Sequence, residues 1–391
     1  MRLAEADGKA LLRRHGIAVP RGVLLGASEN PPDDAASWPS FVLKAQILEG
    51  GRGKRGLVRY FDAAENLRDA RRLILATLDD ADTPLLLEEA VPIAQEIFIA
   101  IRVDGTAQRL ELLLAPQGGE NVEQSAKLAR IPVAETMTPG AIFPALAKLF
   151  PRELAARLSR YAIRLVEIAR QEDLQLLEIN PLALTKAGNL VACDAKIIRD
   201  EAADFRHAPD EFPISRTLAE RAMTGLERAA RDLGFQLVET TGDVVLVTSG
   251  AGLAMMMMDL LADHGLAAAN FMDNLRGAPD ETMTERLKIA RLLAERRTIK
   301  AIVFATVIAS RSLAERVDAL AAWITAAPLP KPLFVGLAAG HAATRGMSTD
   351  QAIEKLHALG VAAFTDPVAL VKAAAKAVGQ PVAKPITKPA Q

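Results

Sequence analysis

The chain has 391 residues, half of them hydrophobic, with 47 Lys plus Arg against 48 Asp plus Glu and a formal charge of −1. That length exceeds one ordinary core and predicts two or three domains, while the even charge balance gives nucleic acid or an anionic membrane no electrostatic hold. Cys193 is the single cysteine, which excludes an internal disulfide and a thiolate metal cage. No apolar run approaches the roughly 20 residues of a membrane helix, and the mixed charges from Met1 to Asp7 lack a signal-peptide core, so a cytoplasmic protein is expected.

In chain order, residues 3–15 carry helical spacing, with Leu3, Ala6, Ala10, Leu11 and Leu12 on one side and a stop at Gly16. Phe41-Val42-Leu43 and Leu85-Leu86-Leu87 read as short strands. Another runs from Glu96 to Val103, turning at Asp104-Gly105 into Leu110–Leu114. A long amphipathic helix covers about 151–171. Strands at Leu174–Leu177 and Leu190–Cys193 follow, joined by a turn at 186–189. Antiparallel hairpins with flanking helices predict an α+β domain over residues 1–235, its stretch from Phe205 to Gly234 reading as a linker plus one helix.

Beyond it the texture changes. Strands at 244–248, 300–306, 332–336 and 361–364 alternate with helices at 253–264, 312–326, 349–358 and 366–378, which predicts an α/β domain with a doubly wound parallel sheet over 236–378. The proline-spaced tail, 379–391, is expected to be disordered.

The densest chemistry lies early. Lys44 ends an apolar strand, where an ammonium is costly unless something anionic meets it. Gly50-Gly51-Arg52-Gly53-Lys54-Arg55-Gly56 follows, a loop whose backbone could approach a polyphosphate while its cations neutralise it. A flexible surface turn with solvated charges is the competing reading, and the loop alone does not decide. Downstream, Glu88 and Glu89 close an apolar strand and Glu96 opens the next, placing carboxylates where a ribose hydroxyl could donate and backbone near Val91 could read a base. Asn180 and Asp194, on two adjacent strand segments, offer the hard oxygens that Mg²⁺ on phosphates prefers. Each carboxylate taken singly reads better as an exposed hairpin charge; together they converge.

These strings, Lys44 with Gly50 to Lys54, Glu88-x₇-Glu96, and Leu177-Glu178-Ile179-Asn180-Pro181-Leu182 with Asp194-Ala195-Lys196, resemble the ATP-grasp domain of succinyl-CoA and malate-CoA ligase β subunits. The opening Gly16 to Gly22 is similar to theirs as well. The resemblance implies that Lys44, Gly51, Arg52 and Gly53 hold the phosphates of ATP, and that Glu88, Val91 and Glu96 serve the ribose and adenine side. It makes Asn180 and Asp194 the Mg²⁺ ligands and sets Glu178 facing a phosphohistidine on a partner, an α-type subunit that also supplies most contacts to CoA. It implies a flavodoxin-like CoA-ligase domain to about residue 378, where Gly250-Ala251-Gly252 and Asn270-Phe271-Met272-Asp273 fit the family pattern. The activity implied is ADP-forming acyl-CoA synthesis from a small carboxylic acid.

The second half also departs from that pattern. Ser249 stands where the family usually has Asn, and Asn274-Leu275-Arg276-Gly277 replaces a glycine-rich stretch. Val307-Ile308-Ala309-Ser310-Arg311-Ser312 replaces paired glycines that precede a helix. Ser312-Leu313-Ala314-Glu315 keeps a capping-box start, so Ser249, Ala309, Ser310 and Arg311 are read as an altered acyl-substrate site. Two rivals remain: a carboxylate–amine ligase, separable by its amide product, and a regulatory β-like subunit without turnover. The Met255–Met258 run reads as core filling, and His341 as a surface-turn histidine.

Overall fold

The computed structural model describes residues 1–379 apart from 27, 64–65, 79, 120–126, 275–281, 309–311 and 342, with backbone alone at 34 and 36. Two units divide the chain, Met1–Arg221 and Ala222–Gln391.

In the first unit, helix α1 (Glu5–Arg14) precedes β1 (Gly22–Leu25), β2 (Phe41–Ala45), β3 (Val58–Phe61), helix α2 (Leu67–Leu75) and β4 (Leu85–Glu89). These four strands pair antiparallel in the order β1-β4-β2-β3. Strand alternation splits the sheet into two faces. Leu25, Phe41, Leu43, Phe61, Leu85 and Leu87 bury against Leu67, Ala70 and Ile74 of α2, with the Phe41 and Phe61 rings stacked at 5.2 Å. Val42 and Lys44, with their cross-strand partners Tyr60 and Val58, take the other parity, as does Glu88 opposite Val42.

A larger antiparallel sheet follows. It is built from β5 (Ile93–Asp104), β6 (Arg109–Ala115), β7 (Ala129–Pro132), β8 (Leu174–Thr185), β9 (Leu190–Ala192) and β10 (Lys196–Arg199), in the order β10-β8-β5-β6-β7 with β9 on β8. Helices α3 (Pro139–Leu146) and α4 (Arg152–Gln171) stand between β7 and β8 in sequence. Leu154, Leu158, Leu165 and Ile168 give α4 a buried stripe at three-to-four-residue spacing, packed with Ile99, Ile101, Leu177 and Ile179 of the sheet. Helix α1 joins this core through Leu11 and Leu12, and the Leu3 N–H donates to the Ile197 carbonyl at 2.9 Å.

Residues 205–234 are more ordered than the expected linker with one helix. They hold α5 (Pro213–Ala222) and α6 (Gly225–Asp232), separated at Met223-Thr224. The break is a capping box: the Thr224 hydroxyl accepts from the Glu227 N–H while Glu227 accepts from the Thr224 N–H.

The second unit continues with β11 (Phe235–Glu239), β12 (Val244–Thr248), α7 (Ala251–Asp263), β13 (Asn270–Asn274), α8 (Met283–Ala294), β14 (Ala301–Ile308), α9 (Leu313–Ala326), β15 (Leu333–Ala339), α10 (Thr349–Ala358), β16 (Ala362–Phe364) and α11 (Pro367–Ala377). Strands β12-β14-β15-β16 are parallel neighbours. Strand β13 joins β12 through a parallel bridge at Val244↔Ala268 and through the buried Asn270 side chain, which accepts from the Leu246 N–H and donates to the Leu246 carbonyl. β11 pairs antiparallel with β13. The hydrogen-bonded parallel strands run β12-β14-β15-β16, and the isolated bridge just ahead of β13 sets that strand beside β12, the neighbour that the doubly wound order 2-1-3-4-5 requires. Both faces are covered, as an all-parallel sheet requires. Val244, Leu246, Val303 and Phe334 pack with α7 and α11, whereas Val245, Val247, Phe304 and Val335 pack with α8, α9 and α10.

Two expectations change here. Of the Met255–Met258 run, Met257 is fully buried, while Met255 is 59% and Met256 40% exposed, because successive helical positions turn away from the sheet. Asp194 lies off-strand between β9 and β10, where its carboxylate accepts from the next residue's N–H, Ala195, at 2.7 Å. Residues 380–391 and Leu275-Arg276-Gly277 lie outside the described residues.

Candidate nucleotide site

The two sheets of the first unit bound a cleft of about 840 Å³, within the usual size of a small-ligand site. Lys44, Gly51, Arg52, Gly53, Glu88, Val91, Glu96, Glu178, Asn180 and Asp194 all line it. The topology explains the convergence. Strand pairing sets Lys44 and Glu88 in neighbouring strands of the small sheet, the segment Ala90-Val91-Pro92 passes from β4 into β5, and β8 brings Glu178 and Asn180 opposite.

The glycine loop is a hydrogen-bonded turn. Arg55 N–H donates to the Gly51 carbonyl, Gly56 N–H to Gly53, and Leu57 N–H to Arg52. Gly51 has φ +74°, a conformation a side chain would strain. Among the described residues the N–H groups of Gly51, Arg52 and Gly53 have no internal acceptor, which leaves them for an anionic ligand.

What meets the Lys44 ammonium is an ion cluster. Lys44 Nζ lies 2.7 Å from Glu5 Oε1, 2.8 Å from Glu88 Oε2 and 2.6 Å from the Cys193 carbonyl. Lys9 Nζ sits 2.6 Å from Glu5 Oε1 and contacts both Glu88 oxygens at 2.6 and 2.7 Å, and it also donates to the Cys193 carbonyl at 2.8 Å. Arg52 closes the group, with Nη1 2.5 Å from Glu5 Oε2 and Nη2 2.7 Å from Asp194 Oδ1. The first is a close ion contact rather than an aligned hydrogen bond. Lys9, Lys44 and Arg52 thus balance Glu5, Glu88 and Asp194, with Glu5, Lys9, Lys44 and Glu88 all buried.

Burial alone would raise the Glu5 carboxyl, but the charges of Lys44, Lys9 and Arg52 outweigh it and hold it far below the carboxylate range. Burial would likewise lower Lys44, and Glu5, Glu88 and Asp194 overcome it to hold the ammonium firmly protonated. Burial pushes the Cys193 thiol up to about 11, so it stays a neutral wall of the cleft.

Across the cleft, the Asn180 side chain accepts from the Gly119 N–H at 2.8 Å and donates to the Gly119 carbonyl at 3.0 Å, fixing its rotamer. Glu178 pairs with Lys196 at 3.5 Å. Asn180 and Asp194 present carboxamide and carboxylate oxygens to the cleft, a donor set whose hard oxygens suit Mg²⁺ completed by phosphate oxygens and water.

In the second unit, Ser249 directly follows β12 and its Oγ accepts from the Val307 N–H near the end of β14 at 3.1 Å. Ala309, Ser310 and Arg311 lie outside the described residues. Ser312 caps α9, accepting from the Glu315 N–H at 3.3 Å. His341 is exposed in a turn.

Glu5 and Lys9 escape a reading of the sequence, since an i,i+4 Glu–Lys pair beside an apolar stripe is the pattern of a solvated helix face. Tyr60, 64% exposed on the cleft wall, escapes it for lack of any motif.

A family profile described as an ATP-grasp domain matches residues 2–184. The β subunit of ADP-forming succinate–CoA ligase from Desulfurococcus amylolyticus is 35% identical over 302 residues, covering 74% of this chain and 78% of its own. The same subunit from Acidithiobacillus ferrooxidans is 33% identical over 323 residues, 78% of this chain and 81% of its own. Among solved structures, ATP citrate lyase from Methanothrix soehngenii, in complex with citrate and coenzyme A, superposes with a TM-score of 0.70 at 17% identity, over 96% of this chain and 99% of that one.

Proposed function

This chain belongs to the family of β subunits of ADP-forming succinate–CoA ligases, and from that membership we propose that it is the ATP-using subunit of an acyl-CoA synthetase working with an α-type partner. The observation that carries this reading is the gathering of ten residues, spread from 44 to 194 in sequence, around one cleft between two sheets.

In this scheme Lys44 and the N–H groups of Gly51 to Gly53 take the phosphates of ATP, with Arg52 beside them. Glu88, Val91 and Glu96 border the ribose and adenine. Asn180 and Asp194 would hold Mg²⁺, which neutralises and orients the phosphates when bound. Glu178 faces the partner's histidine. That histidine attacks the γ-phosphorus, ADP leaves, and a carboxylate then takes the phosphoryl group from phosphohistidine. CoA sulfur displaces phosphate from the acyl phosphate to give the thioester. Two phosphoryl transfers conserve the energy that a direct hydrolysis would lose. CoA binds chiefly through the partner.

The acid is assigned to the second unit, at the carboxyl ends of β12 and β14, where doubly wound sheets place ligands. The Ser249–Val307 hydrogen bond supports this by bracing the strand end that leads into Ala309, Ser310 and Arg311. The test is reconstitution with an α-type subunit, ATP, Mg²⁺, CoA and a panel of acids. Thioester and ADP should form together, and γ-labelled ATP should label the partner's histidine. Amide product in place of thioester, or acid-labile label on this chain alone, would overturn the scheme.

A further inference from the structure

The ion cluster contains two members that the proposed chemistry does not use, Glu5 and Lys9, and Lys9 is the one set back from the cleft. Lys9 is 2% exposed and does not line the cleft, yet it contacts Glu5, both oxygens of Glu88 and the Cys193 carbonyl, all of which do. Lys44 approaches the same three groups from the cleft side. The two ammoniums therefore share one set of acceptors, one from behind and one in front.

We infer that Lys9 is a positioning residue of the nucleotide site, supplying the buried positive charge that offsets Glu5 and Glu88 side by side and leaves Lys44 aimed at the phosphates. The inference rests on the nucleotide reading given above. Its basis is a charge count at short range. Glu5 and Lys9 come from α1, Lys44 from β2, Arg52 from the glycine loop, Glu88 from β4, and Asp194 from the β9–β10 connection, with the neutral Cys193 thiol beside them. With Lys9 present, three cations meet three carboxylates. Without it, two cations must serve three carboxylates in a buried setting, where surplus charge is poorly screened. Lys44 and Arg52 are then drawn inward to the unbalanced carboxylates and away from a ligand of the same sign. A proton on Glu5 would restore the balance, so the defect must titrate.

A purely structural lysine predicts a different pattern. Its loss would lower stability and weaken the site to the same degree at every pH. The positioning role predicts a pH-dependent loss that a second, charge-neutralising change repairs.

The experiment measures ATP·Mg²⁺ affinity by titration calorimetry on the full chain between pH 6 and 8.5, for wild type, Lys9→Met and Lys9→Met/Glu5→Gln. Lys9→Met should bind at least about tenfold more weakly than wild type at pH 8 and recover most of that loss by pH 6. The double variant should bind within a fewfold of wild type with a flat pH profile. In the reconstituted enzyme, KM for ATP should rise in Lys9→Met while KM for the acid stays put. If the single variant fails to fold, the double variant decides alone: restored folding and restored affinity support the inference, and weak, pH-independent binding by a folded double variant overturns it. Unchanged affinity in Lys9→Met also overturns it. Wild type that binds no ATP·Mg²⁺ at all would instead defeat the nucleotide reading.

Discussion

Arg52 and Asp194, 142 positions apart in sequence, meet at 2.7 Å across the mouth of the ion cluster, and Asp194 is the carboxylate assigned to Mg²⁺. A metal at Asp194 therefore competes with a guanidinium already bonded to it. The Arg52→Gln variant should bind Mn²⁺ more tightly than wild type when no nucleotide is present, read by water-proton relaxation. It should bind ATP·Mg²⁺ more weakly, since a phosphate cation is gone. Equal Mn²⁺ affinity in the two proteins would show that Asp194 is not a metal ligand.

Lys44 is the phosphate cation of the proposed scheme. Saturating ATP·Mg²⁺ should raise the melting temperature of the wild-type chain, because a ligand at a hundredfold its dissociation constant adds about 2.7 kcal/mol. Lys44→Ala should erase that shift. It should also destabilise the chain without ligand, by roughly 3–5 kcal/mol, since breaking a buried ion pair leaves its partners uncompensated. A variant that keeps the ATP-dependent shift would remove Lys44 from the site.

Acid sensitivity should trace to Glu5. Its folded carboxyl is held below the ordinary value, so the unfolded chain takes up this proton first as pH falls. The stability it contributes is present above the ordinary glutamate pKa of about 4.3 and drains as pH drops toward the folded value. Urea midpoints should fall more steeply below that pH for wild type than for Glu5→Gln, which starts less stable at pH 7. Parallel curves for the two proteins would exclude Glu5 as the source.

Substrate choice should depend on the loop after β14. In the proposed reading Ala309 adds bulk where the resembled family has paired glycines, the Ser310 and Ser312 hydroxyls and the Arg311 guanidinium bond a differently shaped anion, and a site fitted to particular polar groups rejects acids that leave them unpaired. Succinate should be a poor substrate of the reconstituted complex beside a hydroxylated, branched or sulfonated acid. Arg311→Ala should cut kcat/KM for the preferred acid by about tenfold or more, given a charge-assisted bond of about 1.5–3 kcal/mol, and leave ATP binding unchanged. Succinate as best acid, with Arg311→Ala silent, would make the loop a structural variant.

The parts of this site legible in the sequence are those whose residue types are costly elsewhere. A lysine ending the apolar strand Phe41–Ala45 and a loop with glycine at φ +74° both announce themselves, because desolvation and backbone strain demand a reason for them. Alternation in the second unit was legible because β12, β14 and β15 are buried on both faces and read as continuous apolar runs. Glu5 and Lys9 were not legible. Their helix looks half solvated, and only tertiary packing against β2, β4 and the β9–β10 connection turns its polar side inward. Asp194 reads as strand because the apolar run before it continues to Cys193, whereas β9 ends at Ala192 and the Asp194 carboxylate takes the Ala195 N–H that a strand ladder would use.

Helix α1 has a consequence for biosynthesis. Its Glu5 and Lys9 find their partners in residues 44, 52, 88 and 193, and Leu3 finds its acceptor in residue 197. On the ribosome, at about 5–20 residues per second, the first helix waits roughly ten to forty seconds before the last of these emerges. Until then two charges destined for the interior stay in water, and the half-made cleft has no balanced cluster to present to nucleotide. Completion of the ATP site is thereby timed to the end of the first unit's synthesis, so a nascent chain stalled before residue 194 should retain no ATP while one stalled well past 221 should.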